Sequence, residues 1–414
     1  MSRDTVDNRS MTTAEARSVL VDPMAYADGR LEQACAVLRR DAPVSWVEAE
    51  EFLPFHALTK HEDILEVERR PDLFQARPRY KLYRRRDEER FTAARSLVSM
   101  DPPEHTEYRA VAAPWFHPRN LRNFEETVRA RALVAVDSMA RRDTAYDFVS
   151  EIAMLYPLDV ICSMVGIPEA DRGLILRLTL ENFGSEDPDF RPLTTTDDRA
   201  AVMDFAHYFL KVIEDRKAAP TDDITSLLVH AKVKDEPLPL QDLIGYLVII
   251  STAGHDTTAA TIAGGLRALV EHPDQLRRLQ TEPGLIPTAV EEMIRWVTPV
   301  KSFMRVATKD TEIGGQTIAE GEAVLLLYAS ANRDDDVFGD PDRFDVGRTP
   351  NRHLAFGHGT HFCLGARLAR LEARMFFSEL IPRLRHAELA GEPELIQTLF
   401  VGGHKRLPVH LDVA

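Results

Sequence analysis

Cysteine is scarce in this chain: Cys35, Cys162 and Cys363 are all there is in 414 residues. So few thiols exclude a disulfide framework and fit a reducing, cytoplasmic setting. An excess of basic residues is also missing. Lys and Arg number 51 against 66 Asp and Glu, a net charge of −15, which argues against a nucleic-acid partner. No run of 18 apolar residues occurs, so no segment is expected to span a membrane. No signal peptide is recognisable, and residues 1–10 are polar and expected to be disordered. Internal repeats, low-complexity tracts, long linkers and flavin or iron–sulfur motifs are absent as well.

What is present is ordinary in composition, with 44% hydrophobic and 28% charged residues. Helical periodicity covers 121–141, 147–165, 199–218, 240–271, 285–297 and 366–380. Segments 42–60 and 306–327 alternate apolar and polar positions, and Glu312 to Ile318 reads as a hairpin about Gly314-Gly315. The expectation is one domain over 1–414, mainly α with a small β-rich part near the N-terminus and after residue 300.

Cys363 sits in Phe356-Gly357-His358-Gly359-Thr360-His361-Phe362-Cys363-Leu364-Gly365, directly before the helical run 366–380. Free N–H groups and the dipole of a helix start favour thiolate over thiol. Gly359 and Gly365 leave room for a large flat group to approach the backbone. Two plainer readings compete: an inert core cysteine, or a small metal such as zinc held by His358, His361 and Cys363, without the usual paired-cysteine spacing. Cys162, in the apolar run 158–165, reads as core, and Cys35 lies in an amphipathic helix.

The 240–271 run is bracketed by Pro239 and Pro273 and would be roughly 48 Å long as a helix. Its middle reads Ala253-Gly254-His255-Asp256-Thr257-Thr258, poor helix material. The Thr257 hydroxyl can reach the Ala253 carbonyl and open the helix locally. Mid-helix Asp and Thr usually mark a wet face, but the apolar flank 243–250 predicts burial, which a carboxyl beside an alcohol resists. Glu292 and Arg295 share a helix face at i, i+3, a spacing common to many weak surface pairs.

Phe356, Gly359, Cys363 and Gly365 together resemble the haem-binding loop of the cytochrome P-450 monooxygenases. The 253–258 segment matches that family's acid–alcohol pattern, and Glu292 to Arg295 its Glu-x-x-Arg. The resemblance covers about residues 20–412 and implies the family's fold, with Cys363 as the axial thiolate of a haem b iron. It further implies that Thr257 hydrogen-bonds dioxygen and Asp256 relays protons to it. His105, Arg109, Arg305 and His361 would contact the propionates. Arg343 would join Glu292 and Arg295 in a structural ion-pair network. Ile249 and Ala253 would line the substrate pocket.

The connecting segments 300–305, 329–334, 350–354 and 400–403 are similar to those of the bacterial α-terpineol-hydroxylating branch. They point to a small hydrophobic, monoterpenoid-like or alkyl-aromatic substrate, with Phe303, Phe400 and Val401 as pocket candidates. Electrons would come from an iron–sulfur ferredoxin. Arg367, Arg370 and Arg374, at i, i+3 and i+7, form a basic helix face that could dock it, with Arg109 beside them; a plain solvated face is the alternative. A monomer is expected. The basic segment 77–90 (Arg77, Arg79, Lys81, Arg84, Arg85, Arg86 and Arg90) falls where the family has a variable access loop. It reads as a solvated mobile loop, or as an attractor of an anionic substrate. Rival functions are a peroxide-driven haem-thiolate enzyme acting on a fatty acid, a non-catalytic haem-binding protein, and a zinc hydrolase.

Overall fold

A computed structural model describes residues 11–88, 95–184, 186–190 and 200–414. Residues 1–10 and Arg90 therefore lie outside the described residues. The organising element is the helix Leu240–Glu271, which keeps the bounds expected from its two prolines. It is mostly apolar all round, so it is buried by neighbours on several sides. The helices Leu155–Val165, Ile286–Val297 and Ala366–Leu380 pack against it and share its hydrophobic core. Among the described residues, no helix is long and apolar enough to cross a membrane.

The helix expected over 121–141 runs Pro118–Met139, starting earlier because Pro118 suits a first helical turn. The stretch expected as one helix over 147–165 is divided: a π-helical turn, Val149–Ala153, precedes Leu155–Val165. The helix Ala366–Leu380 begins three residues after Cys363 and gives way to a 3-10 turn at Ile381–Arg383, which accommodates Pro382.

A five-stranded sheet holds Val44–Val47, Phe55–Leu58, Ala323–Leu327, Ser302–Ala307 and Phe74–Gln75, in that spatial order. Only the pairing of Phe55–Leu58 with Ala323–Leu327 is parallel. The sheet brings Phe74–Gln75 alongside the strand that carries Phe303 and Arg305. The expected hairpin is present as Thr311–Ile313 paired with Gln316–Ile318. Its turn residues Gly314 and Gly315 have φ of 54° and 75°, a region that side chains resist. A second antiparallel sheet, not foreseen strand by strand, orders Leu384–Leu389, Pro408–Val413 and Tyr146–Asp147.

The basic segment is not a free solvated loop. The buried Arg79 donates to the carbonyls of Leu53 and Pro54, at 3.0 and 3.1 Å. Arg85 donates to Phe52 O, Arg77 to Ser99 O, and Arg84 pairs with Glu51 and Glu186. These guanidinium groups staple the segment to the backbone, a role charge counting does not reveal.

Candidate active site

A cavity of about 590 Å3 lies between the long helix and the cysteine loop. Cys363 borders it, as do Ile249, Ala253, Thr257, Phe303, Phe400 and Val401. The loop is closed by Cys363 N–H donating to Phe356 O at 2.8 Å. Phe356 and Gly365 also face the cavity, and nothing lies within 4 Å of where a Gly365 Cβ would stand. Gly359 differs from expectation. It has φ of 63°, and a Cβ there would collide with the backbone carbonyl of Glu68, so its smallness serves chain packing.

Cys363 has open surface only because it borders the cavity; burial is the largest influence on its thiol and pushes the pKa up. The N–H groups of Gly365 and Ala366, with Arg109 and Arg370, pull it down but do not prevail. The helix start alone therefore does not secure a thiolate. A coordinated metal ion would, because ligation deprotonates a thiol outright.

Four nitrogen-bearing side chains border the same cavity: His105, Arg109, Arg305 and His361. Arg305 is 4% exposed, and its side chain donates to Met304 O at 2.7 Å, with no carboxylate among the described residues in salt-bridge range. His105 is buried with Nδ1 unpartnered, and its ring centroid lies 4.3 Å from that of His361. Burial, reinforced by Arg109 and Arg305, lowers His105 to about 4. Burial and then Arg305 lower His361 to about 2. Arg109 donates to Phe362 O at 2.6 Å. A buried cation and an orphaned ring nitrogen beside a cysteine fit a flat group that carries carboxylates, as haem does. The zinc arrangement does not form. Among the described residues, His358, His361 and Cys363 are not among the clusters whose ligand atoms converge.

Thr257 Oγ1 donates to Ala253 O at 3.0 Å, as its position suggested, yet the helix stays α-helical through this turn. Asp256 does not share Thr257's cavity. It borders a second, small cavity of about 10 Å3 with Ala260, Gly403 and His404. No side chain among the described residues hydrogen-bonds its carboxyl, and burial lifts its pKa to about 6.

Glu292 and Arg295 form a fully buried pair, Nε to Oε2 at 2.8 Å and Nη2 to Oε1 at 2.8 Å. The third member is Arg348, whose Nε lies 3.1 Å from both Glu292 oxygens. Arg343 was expected there, but it is exposed and contributes only its carbonyl, which accepts from Arg295 and Arg348. Arg348 replaces it because the chain folds back over Arg343 O. The basic helix face is also changed. Arg370 is held by both oxygens of Glu291, at 2.6 and 2.8 Å, and Arg374 Nε turns to Arg370 O. Only Arg367 of the three stands exposed.

Two features went unforeseen. Glu372, on the Cys363-proximal helix, is wholly buried at the cavity with both carboxylate oxygens unpartnered, and burial holds it protonated well above the usual range. Its position among Leu368, Leu371 and Phe376 was the available signal: an acid in an apolar stripe. Lys81 and Arg95 give the apolar cavity a basic edge. Arg95 is neutralised by Asp242 and Glu104, at 2.5 and 2.7 Å.

Comparison with known proteins agrees with this geometry. A family model described as Cytochrome P450 matches residues 187–407. The chain is 39% identical to Cytochrome P450-terp of a Pseudomonas species, over 96% of this chain and 97% of that one. It is 38% identical to a methyl-branched lipid omega-hydroxylase of Mycobacterium tuberculosis, over 94% and 93%. The crystal structure of CYP108D1 from Novosphingobium aromaticivorans superposes with a TM-score of 0.90 at 37% identity, covering 98% of this chain and all of that one.

Proposed function

The chain belongs to the cytochrome P450 family of haem-thiolate monooxygenases, whose iron is ligated by a cysteine, and we propose that it oxidises a compact hydrophobic, monoterpenoid-like or alkyl-aromatic substrate with electrons from a ferredoxin. The observation that carries this reading is the apolar wall of the cavity above Cys363, built from Ile249, Ala253, Phe303, Phe400 and Val401. Phe303 and Phe400 meet edge to face at 5.2 Å, a rigid corner suited to a compact apolar ligand. Similarity to Cytochrome P450-terp and to a linalool 8-monooxygenase of Pseudomonas putida supports the same class.

In this reading Cys363 holds the haem iron, and His105, Arg109, Arg305 and His361 hold its propionates. Bound haem supplies dioxygen activation and the oxidation of a C–H bond. The chain's own part is positional and protonic. The apolar wall excludes water and orients the substrate. Thr257 turns its hydroxyl from Ala253 O toward the cavity to donate a hydrogen bond there. Asp256, poised near 6, takes up and releases protons close to neutral pH from its separate small cavity. Glu292, Arg295 and Arg348 hold the connection leading to the cysteine loop. Ferredoxin docking rests on Arg367, with Arg109 and Arg374 at its margin, since Arg370 is neutralised by Glu291. The chain works as one domain and as a monomer.

A second reading, a lipid with an anionic head, is favoured by Lys81 at the cavity edge and by the similarity to a lipid omega-hydroxylase. The test is a titration of the ferric holoprotein followed by its Soret band. A shift to high spin with one terpenoid or alkyl-aromatic supports the first reading. A shift only with branched or straight-chain fatty acids replaces it with the second.

A further inference from the structure

Outside the haem cavity, the antiparallel pair Leu384–Leu389 and Pro408–Val413 carries a second group of metal-ligating side chains. The register sets Glu388 opposite His410 and His386 opposite Asp412. Strand alternation puts all four on the face away from the core, because Val409, Leu411 and Val413 are buried on the other. His410 Nδ1 lies 3.2 Å from Glu388 Oε1, and His386 Nε2 lies 3.4 Å from Glu388 Oε2. One ligand atom from each of His386, Glu388 and His410 falls within 4.8 Å of the other two.

We propose that His386, Glu388 and His410 form a site for a divalent transition metal of the zinc class, with Asp412 or water as fourth ligand. Zinc binds imidazole nitrogen and carboxylate oxygen at about 2.0–2.2 Å, so ligand atoms around a tetrahedral ion stand roughly 3.3 Å apart. The two nitrogen–oxygen separations, 3.2 Å from His410 to Oε1 and 3.4 Å from His386 to Oε2, are close to that value but use different oxygens of Glu388, so binding would draw both imidazoles onto the carboxylate and toward each other. Two imidazoles select zinc, copper or nickel over magnesium and calcium, which take oxygen sets. The ligands sit on a paired ladder rather than a loop, which limits the ordering that binding demands. A chain of net charge −15 also concentrates cations at its surface. The bound ion would pin the C-terminal strand to its neighbour.

The test is calorimetry of untagged, chelator-treated holoprotein with ZnCl2 at neutral pH, beside thermal melts. One equivalent bound, a raised melting temperature, and at least tenfold weaker binding in both His386→Ala and His410→Ala are expected. Copper loading should show imidazole nitrogen couplings by electron paramagnetic resonance in the wild type, diminished in either variant. No saturable binding, or binding undiminished in both variants, overturns the site. These residues are at least partly exposed, so the variants keep the fold.

Discussion

Asp256 and His404 border the same water-sized cavity, separate from the one that Cys363 and Thr257 border. His404 Nε2 faces Arg267 Nη1 at 3.3 Å. Arginine only donates, so the neutral ring must accept at Nε2 and carry its proton on Nδ1, the atom without a partner. An orphaned donor and an unpartnered carboxyl thus meet one space large enough for a single water.

Asp256 should make stability pH-dependent. Burial raises its pKa from 3.8 to about 6, so the folded state favours the protonated acid. That advantage is full below the unfolded value and is lost as pH rises through about 6. Between about pH 4 and pH 7 the wild type should lose about 2–3 kcal/mol relative to Asp256→Asn, two pKa units at 1.36 kcal/mol each. Urea unfolding of both proteins across that range checks it; a pH-independent difference would contradict the burial argument.

His404→Leu should push this transition to higher pH. Removing the Nδ1–H withdraws the one donor placed to stabilise the Asp256 anion through water, while burial persists. The same urea series in the His404→Leu background reads the shift. An unmoved transition means the ring does not reach the acid.

The Thr257 hydrogen bond and the cysteine loop were legible because they are local: Thr257 reaches Ala253 within one turn, and Cys363 bonds back to Phe356 within its own loop. That the helix stays closed and Asp256 faces a different cavity was not legible. The failures were long-range. Arg348 and Arg343 lie close together in a segment without periodicity, so nothing local shows which guanidinium turns inward to Glu292. Arg77, Arg79 and Arg85 look solvated until the carbonyls of Ser99, Leu53, Pro54 and Phe52 arrive from elsewhere in the chain. His404 follows two glycines and opens the short strand His404–Arg406, with no sequence link to Asp256.

The buried network provides a sharp comparison. Glu292→Gln should destabilise by about 3–5 kcal/mol, because it leaves Arg295 charged and unpaired in the core. Arg348→Ala should also cost stability, whereas Arg343→Ala should stay within about 0.5 kcal/mol. Equal effects at 343 and 348 in chemical denaturation would reverse the assignment made from geometry.

Arg305→Leu should act with opposite sign in the two forms of the protein. The apoprotein should gain stability or keep it, since a buried cation without a carboxylate is removed. The holoprotein should release haem faster to an acceptor such as apomyoglobin. Equal haem retention in mutant and wild type would remove Arg305 from the propionate contacts.

The long helix seats two neighbouring side chains in separate rooms, Thr257 in the large cavity and Asp256 in the small one. On the proposed reading the helix acts as a partition between a proton supply and a substrate chamber. Widening the small room would then change how quickly acid is replenished without wetting the large one, and turnover and leakage would be separately adjustable at adjacent positions of one helix.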